Sequence, residues 1–395
     1  MSAIALGVPD RAEGVQTGGR LRVALVYDDS MDKFGGVPQY IGVLSAALRR
    51  AGHEVTLLVG HTAARQVSGC DVHSLARNVR VRFNGNVLSV PLIPQVGAIR
   101  SVMREQDFDV MHVQVPYSPL MAGQLIRQLP HRTALVGTFH VASERALPRL
   151  GARLLSAWTR RSRRRFDEMI CVSRHAAAFA RTTFGVRRFA LVPNMVELDG
   201  DRADAEPSAT PTVVCVGALV PRKGQCVLVD AFALVVQTLP DARLVLAGEG
   251  PQHKRLERRI AELGLASNVC LLGAVPTADR AQLLRTAHVA CFPSSYGESF
   301  GIVLLEAMAA GSAVLAGRNA GYLEVLGNMS EALAEPRPRP LARALTTLLL
   351  DDSRRRRLIA QQHTLVQRFD ANDVTAEILT VYRSALGRRH GAPVA

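Results

Sequence analysis

Tyr296 to Gly311 reads YGESFGIVLLEAMAAG. One glutamate, Glu298, stands just before an apolar run, and a second, Glu306, stands inside it. The run reads as the opening of a buried helix. Such a helix needs neither carboxylate, and an ionised carboxylate in apolar surroundings is costly unless something pairs with it. Ser299, Phe300 and Gly301 fall where the helix begins, and Ile302 follows, so free backbone amides there can hold a phosphate. Glu298 can accept hydrogen bonds from sugar hydroxyls. Glu306, one to two turns in, lies on the face that can meet a ribose, whose vicinal hydroxyls suit an acceptor-only carboxylate. The stretch therefore predicts a strand–loop–helix unit that holds a sugar nucleotide. The plain alternative is a core helix with one snorkelling glutamate.

Outward from this unit, short β-branched runs alternate with helical stretches. Arg22–Tyr27, Glu54–Val59, Asp109–Val113, Ala134–Phe139, Glu168–Val172 and Ala190–Val192 read as strands. Val37 to Arg50 places Val37, Ile41, Leu44 and Leu48 on one face of an amphipathic helix. The polar, acidic, proline-bearing stretch Asp199 to Thr212 reads as a linker. After it the pattern restarts with Thr212–Val216, Leu244–Ala247, Val269–Leu272, Val289–Phe292 and Ala313–Ala316. This predicts two doubly wound α/β domains, residues 21–198 and 212–373, joined by a linker at 199–211 and preceded by a flexible tail at 1–20. Doubly wound sheets bind ligands at the carboxyl ends of their strands, so the expected site is a cleft between the domains.

Several motifs fall at strand ends. Gly35–Gly36 separates the first strand from the first helix, where backbone can approach an anion closely. Arg222 and Lys223 follow the strand ending near Gly217 and suit a diphosphate. His140 ends the strand Ala134–Phe139, and Gly248–Glu249–Gly250 ends another. Asp199-x-Asp201 has the form of a metal-binding pair, but it lies in the linker without flanking strands, so no metal site is expected. No GxGxxG follows the first strand and no GxxxxGK[ST] occurs, which argues against a dinucleotide oxidoreductase and a P-loop NTPase.

Composition sets the outer bounds. With 395 residues, 48% of them hydrophobic, the chain can bury two cores. The first twenty residues lack the features of a signal peptide, and no uninterrupted apolar stretch is long enough to span a bilayer. Six cysteines without a CxxC pair read as reduced thiols in a cytoplasmic protein. The net charge of +14 is mostly arginine, in two runs: Arg160–Arg161 with Arg163–Arg165, and Arg354 to Arg357. Solvated helix faces account for such runs, and an anionic surface is the alternative. Neither run is interleaved with aromatics, and no zinc-finger spacing or RNP-like motif occurs, so nucleic acid is not expected as a partner.

Glu298 and Glu306, with seven residues between them, resemble the E-x7-E signature of group 1 retaining glycosyltransferases. The stretch GESFGIVLLEAMAAG is similar to that family's motif almost throughout. So are Gly35–Gly36, TFH at Thr138–His140, VPN at Val192–Asn194, RKG at Arg222–Gly224 and AGEGP at Ala247–Pro251, in order. The resemblance implies a GT-B fold, two Rossmann-like domains facing a cleft, with residues 374–388 forming a helix that returns to the first domain. It implies transfer of a hexose from a UDP- or GDP-sugar with retention. No cofactor is required, and non-specific stimulation by Mg2+ stays open. By position, Gly35 and Gly36 would admit the donor diphosphate, and Arg222 and Lys223 would contact it. Ser299, Phe300, Gly301 and Ile302 would offer amides. Glu298 would bind the hexose, Glu306 the ribose, and His140 would bond the hexose at the reacting centre. The family usually has an arginine where this chain has Ala218, so one diphosphate cation is missing unless Arg222 replaces it.

Two acceptors stay open under the resemblance. The chain is similar both to phosphatidylinositol mannosyltransferases and to glycosyltransferases of aminoglycoside assembly, kanosaminyltransferases among them. The lipid-modifying relatives use a basic amphipathic helix, but the corresponding Val90 to Gln106 carries only Arg100 and Arg104 as cations. Asp28, Asp29 and Asp32 precede the first glycines, where the acceptor would enter, and an acidic lip attracts a cationic aminocyclitol. A small amine-bearing acceptor is therefore expected, with a peripheral lipid mannosyltransferase as the alternative and a basic nucleic-acid-binding protein as the rival outside the class.

Overall fold

The protein's structure, a computed structural model, describes residues 19–32, 35–83, 86–140, 146–198 and 208–390. Nearly all of the expected tail, and most of the expected linker with Asp199 and Asp201, lie outside these residues.

The first half builds one eight-stranded sheet. Its strands are β1 (Arg22–Tyr27), β2 (Glu54–Val59), β3 (Gln66–Val67) and β4 (Cys70–Ser74), then β7 (Val110–Gln114), β8 (Ala134–Phe139), β9 (Glu168–Cys171) and β10 (Ala190–Leu191). β5 (Ala76–Phe83) and β6 (Asn86–Pro94) form a separate antiparallel hairpin. The sheet order is β10-β9-β8-β7-β1-β2-β4-β3, parallel throughout except for the short β3. The helices are α1 (Gly36–Arg50), α2 (Val96–Glu105), α3 (Met121–Gln128), α4 (Ala146–Arg163) and α5 (Arg174–Phe184). They cover both faces, so every residue of β7 and β8 is buried. That is why β8 reads as a near-continuous apolar run rather than an alternation.

The second half repeats the plan with six parallel strands. They are β11 (Thr212–Val216), β12 (Arg243–Ala247), β13 (Val269–Gly273), β14 (Val289–Phe292), β15 (Ala313–Gly317) and β16 (Leu333–Ala334), in the order β13-β12-β11-β14-β15-β16. Its helices are α6 (Gln225–Thr238), α7 (His253–Glu262), α8 (Thr277–Thr286), α9 (Ile302–Ala309), α10 (Ala320–Leu326), α11 (Pro338–Leu350) and α12 (Asp352–Val366). The last helix, α13 (Ala371–Arg389), leaves this half and joins the first. Val374, Ile378, Tyr382 and Ala385 share a core with Tyr40 and Leu44 of α1 and Val136 of β8. Arg388 and Arg389 pair with Glu168 and Asp167, each at 2.7 Å.

In each sheet the strand order reverses once. β1 lies between β2 and β7, and β11 lies between β12 and β14. A crevice opens at such a reversal because the loops leaving the two central strands turn to opposite sides. The loops after β1, β7, β11 and β14 therefore place their residues at the site. The β5–β6 hairpin departs from the sequence reading. Val79, Arg80, Val81, Arg82 and Phe83 do alternate with a strand's period of two. Val90 to Gln106, expected as the place of a basic helix, divides into the end of β6 and the short α2.

Candidate active site

The second half meets the cleft with charges. Glu298, on the loop between β14 and α9, is 8% exposed. Its Oε1 accepts from Arg222 Nη1 at 2.7 Å and from Ser294 Oγ at 3.1 Å, and lies 2.8 Å from Lys223 Nζ. Burial by itself raises the Glu298 carboxyl, but Lys223, Arg222 and Ser294 outweigh it and hold the group below its usual range. Two cations face one carboxylate, which leaves positive charge in excess beside the helix start. The Arg222 guanidinium points to Glu298 and to the Gly297 carbonyl, 3.4 Å away.

The loop is braced from behind. Tyr322, fully buried, donates to Ser294 Oγ at 3.1 Å, and Asn319 Nδ2 donates to the Ser294 carbonyl at 2.9 Å. Gly301 caps α9 with φ 111°, and an added Cβ there would stand 2.7 Å from the Tyr322 ring. Only glycine takes that conformation in that space. Phe300 packs edge-on to Phe369, and the Ser299 carbonyl accepts from Ser173 Oγ of the first half at 2.6 Å. Ile302 packs into the first half's core. A Cβ on Gly36 would lie 3.5 Å from Ile302 Cδ1, so the α1 and α9 N-termini converge across the cleft. Neither has a side-chain cap or an acidic residue in its first turn. Two uncapped N-termini, Lys223 and Arg222 are groups of the kind that attract an anion.

Glu306 lies one turn into α9. Arg280 of α8, which the sequence reading missed, places Nη2 3.2 Å from Glu306 Oε1 without hydrogen-bond alignment. Burial pushes the Glu306 carboxyl up to about 7, with Arg280 and then Lys223 pulling it back. A buried carboxylate that keeps unused acceptor capacity suits a diol.

The first half meets the cleft with neutral polar groups. His140 shares a hydrogen bond of 2.7 Å with Gln114 Oε1 and lies edge-on to Tyr40, the ring centroids 4.7 Å apart. Burial drives the His140 imidazole down to about 3, so it is neutral at ordinary pH. Gln114 Nε2 is buried and has no partner among the described residues. Behind these groups, His112 joins Thr138 Oγ1 at 2.6 Å to the Tyr382 hydroxyl at 2.8 Å, tying α13 to β8. Gln114 and Tyr40 escaped the sequence reading because nothing marks a lone Gln at a strand end or a Tyr on an amphipathic helix.

The acidic lip differs from expectation. Asp28 is buried. Its Oδ1 accepts from Ala122 N at 2.8 Å and its Oδ2 from Ser118 Oγ, and burial pushes its carboxyl up to about 6. Asp32 accepts from Thr62 Oγ1 and from Ala63 N at 3.0 Å. Asp29 accepts from Ser30 N at 2.7 Å. Asp28 thus serves the loop it braces, because a buried carboxylate must find donors, whereas Asp32 stays exposed. Among the described residues no group of three or more His, Cys, Asp or Glu is placed to hold a metal ion.

The family described as Glycosyl transferases group 1 matches residues 200–364, and Glycosyltransferase Family 4 matches residues 34–199. A phosphatidyl-myo-inositol mannosyltransferase of Mycolicibacterium smegmatis is 31% identical over 376 residues, covering 93% of this chain and 95% of its own. The chain is a group 1 glycosyltransferase. As such it is a hexosyltransferase that draws on a nucleotide sugar. A further relative of this glycosyltransferase, from Arabidopsis thaliana, belongs to a phosphatidylinositol N-acetylglucosaminyltransferase and is 28% identical over 345 residues, 82% of this chain and 74% of its own. The fold is that of Anabaena HepE, whose structure holds UDP and glucose: TM-score 0.73, 20% identity, 91% of this chain and 99% of that one. The glycosyltransferase thus has the GT-B architecture, two α/β halves with parallel sheets.

Proposed function

We propose that this glycosyltransferase moves mannose from GDP-mannose to an inositol hydroxyl of a phosphatidylinositol lipid, with retention, acting from the cytoplasm at a membrane surface. The names of its relatives carry the acceptor: they differ in the hexose, mannose or N-acetylglucosamine, and agree on phosphatidylinositol. The case for a cationic aminocyclitol rested on Asp28, Asp29 and Asp32, and Asp28 is engaged inside the fold. Among the described residues no helix is long and apolar enough to cross a membrane, so contact with lipid is peripheral in this reading.

The hexose C1 breaks its bond to the diphosphate oxygen and forms one to the inositol oxygen on the same face. The acceptor proton passes to the leaving phosphate. Lys223, the Ser299 to Ile302 amides and the α1 start at Gly35 and Gly36 take up the charge that grows on the diphosphate. Glu298, fixed by Arg222 and Ser294, accepts from hexose hydroxyls, and Glu306 accepts from the ribose. His140, neutral and held by Gln114, hydrogen-bonds the hexose and is no proton source at neutral pH. Catalysis is then positioning and charge stabilisation.

A transfer assay tests this reading. GDP- and UDP-hexoses are supplied together with phosphatidylinositol vesicles and a deoxystreptamine-type aminocyclitol. Mass spectrometry of the lipid and aqueous phases then finds the product. Mannosylated phosphatidylinositol from GDP-mannose is expected. A hexosylated aminocyclitol, with no lipid product, would overturn the acceptor.

A further inference from the structure

We propose that one face of α4 docks on an anionic lipid surface, a proposal that rests on the lipid reading of the acceptor. Leu154 and Trp158 are 70% and 68% exposed, more than any other exposed large hydrophobic among the described residues. They stand four apart, so they lie one above the other on the helix surface. Arg161 continues the same edge, and Ala157, Arg160 and Arg164 lie beside it, none of them buried. The opposite side turns inward, with Thr159 buried.

The arginine run divides accordingly. Arg163 donates to the Ser156 carbonyl at 2.8 Å and to that of Phe184 at 3.2 Å. Arg165 donates to the carbonyls of Ile126 and Leu129. Arg160, Arg161 and Arg164 stay outside, and the chain carries no Asp or Glu between Ala146 and Arg165. The second run behaves otherwise. Arg354 meets Glu331 at 3.0 Å, Arg356 meets Asp352 at 2.6 Å, and Arg355 is buried beside Asp352. Exposed apolar side chains set among uncompensated cations are the pattern of a helix lying in a membrane interface, with the indole at headgroup level. A polyanion such as RNA would use the arginines but would leave Leu154 without a role. Trp158 lies about 18 Å along the axis from the start of the helix at Ala146.

Trp158 is the chain's single tryptophan, so the unmodified protein reports on this face. Its emission is followed while phosphatidylcholine vesicles, with and without phosphatidylserine, are added. A blue shift is expected with phosphatidylserine, reversed by high salt and absent with phosphatidylcholine alone. In sedimentation, Leu154→Ser and the triple change Arg160→Gln, Arg161→Gln, Arg164→Gln should each weaken vesicle binding about tenfold. Both should leave transfer to dissolved short-chain phosphatidylinositol unchanged. No shift with either vesicle, an equal shift with both, or a shift with an RNA oligonucleotide and none with vesicles would overturn the proposal. Transfer to short-chain phosphatidylinositol without any shift would overturn this surface and spare the acceptor. A salt-reversible shift in a protein that glycosylates only the aminocyclitol would support the surface and overturn the acceptor.

Discussion

The two walls of the cleft are built from different chemistry. The wall from the second half sets Glu298 against Arg222 and Lys223, and Glu306 against Arg280. The wall from the first half uses His140, Gln114 and Tyr40, all uncharged at neutral pH. A charged donor needs opposed charges held in place before it arrives. A neutral hydroxyl acceptor needs only directed hydrogen bonds. Changes on the charged wall should therefore act through donor binding and catalysis together, and changes on the neutral wall chiefly through alignment.

The largest effect is expected at Glu298. Glu298→Gln should lower kcat/KM about 1000-fold, of the order seen when one electrostatic group is removed from a preorganised site. It also leaves Arg222 and Lys223 without their carboxylate. Steady-state kinetics with the full donor measures this. Next, His140→Ala should lower kcat about 100-fold through lost alignment. Because the imidazole titrates at about 3, kcat of the natural protein should show no His140 step between pH 5 and 8. A step near 6.5 that vanishes in His140→Ala would contradict the neutral wall.

Gly301→Ala sharpens the comparison from the backbone. It forces a Cβ to 2.7 Å from Tyr322 at φ 111°, and should cost about 2 kcal/mol in a denaturant melt while raising donor KM. The fourth effect is smaller and depends on pH. The Glu306 carboxyl, at about 7 in the fold, takes up a proton as pH falls through 7 and can no longer accept from both ribose hydroxyls. Donor KM should rise severalfold between pH 8 and pH 6, and Glu306→Gln should flatten that dependence. The sign for stability is opposite. Because the folded carboxyl binds its proton more tightly than an unfolded one, this group favours folding as pH drops from about 7 and costs stability above it. The smallest effect is at Tyr382→Phe, which removes one hydrogen bond to His112 and should cost about 1 kcal/mol with donor KM unchanged.

The charged wall was legible because its parts are short contiguous motifs. Gly297 to Glu306 holds the anion amides and both carboxylates, and Arg222 with Lys223 stands on a single turn. The parallel strands were legible for a similar reason, as buried runs such as Ala134–Phe139. Of the neutral wall only His140 was. Gln114 ends β7 and His140 follows β8, Tyr40 lies on a helix, and Tyr382 is 270 residues from the His112 it bonds. Only the topology brings them together. Arg280 stayed hidden because one arginine on a solvated-looking helix gives no sign that it turns inward. The aspartates of the first loop misled in the other direction, since a sequence does not show that Asp28 finds Ser118 and Ala122 N.

Calorimetric titration of the natural protein and of Glu298→Gln, each with GDP-mannose and with GDP, tests the charged wall most directly. The account predicts that Glu298→Gln binds GDP about as well as the natural protein and loses the added affinity that the hexose provides. Equal affinity of both proteins for GDP-mannose would show that Glu298 does not hold the sugar.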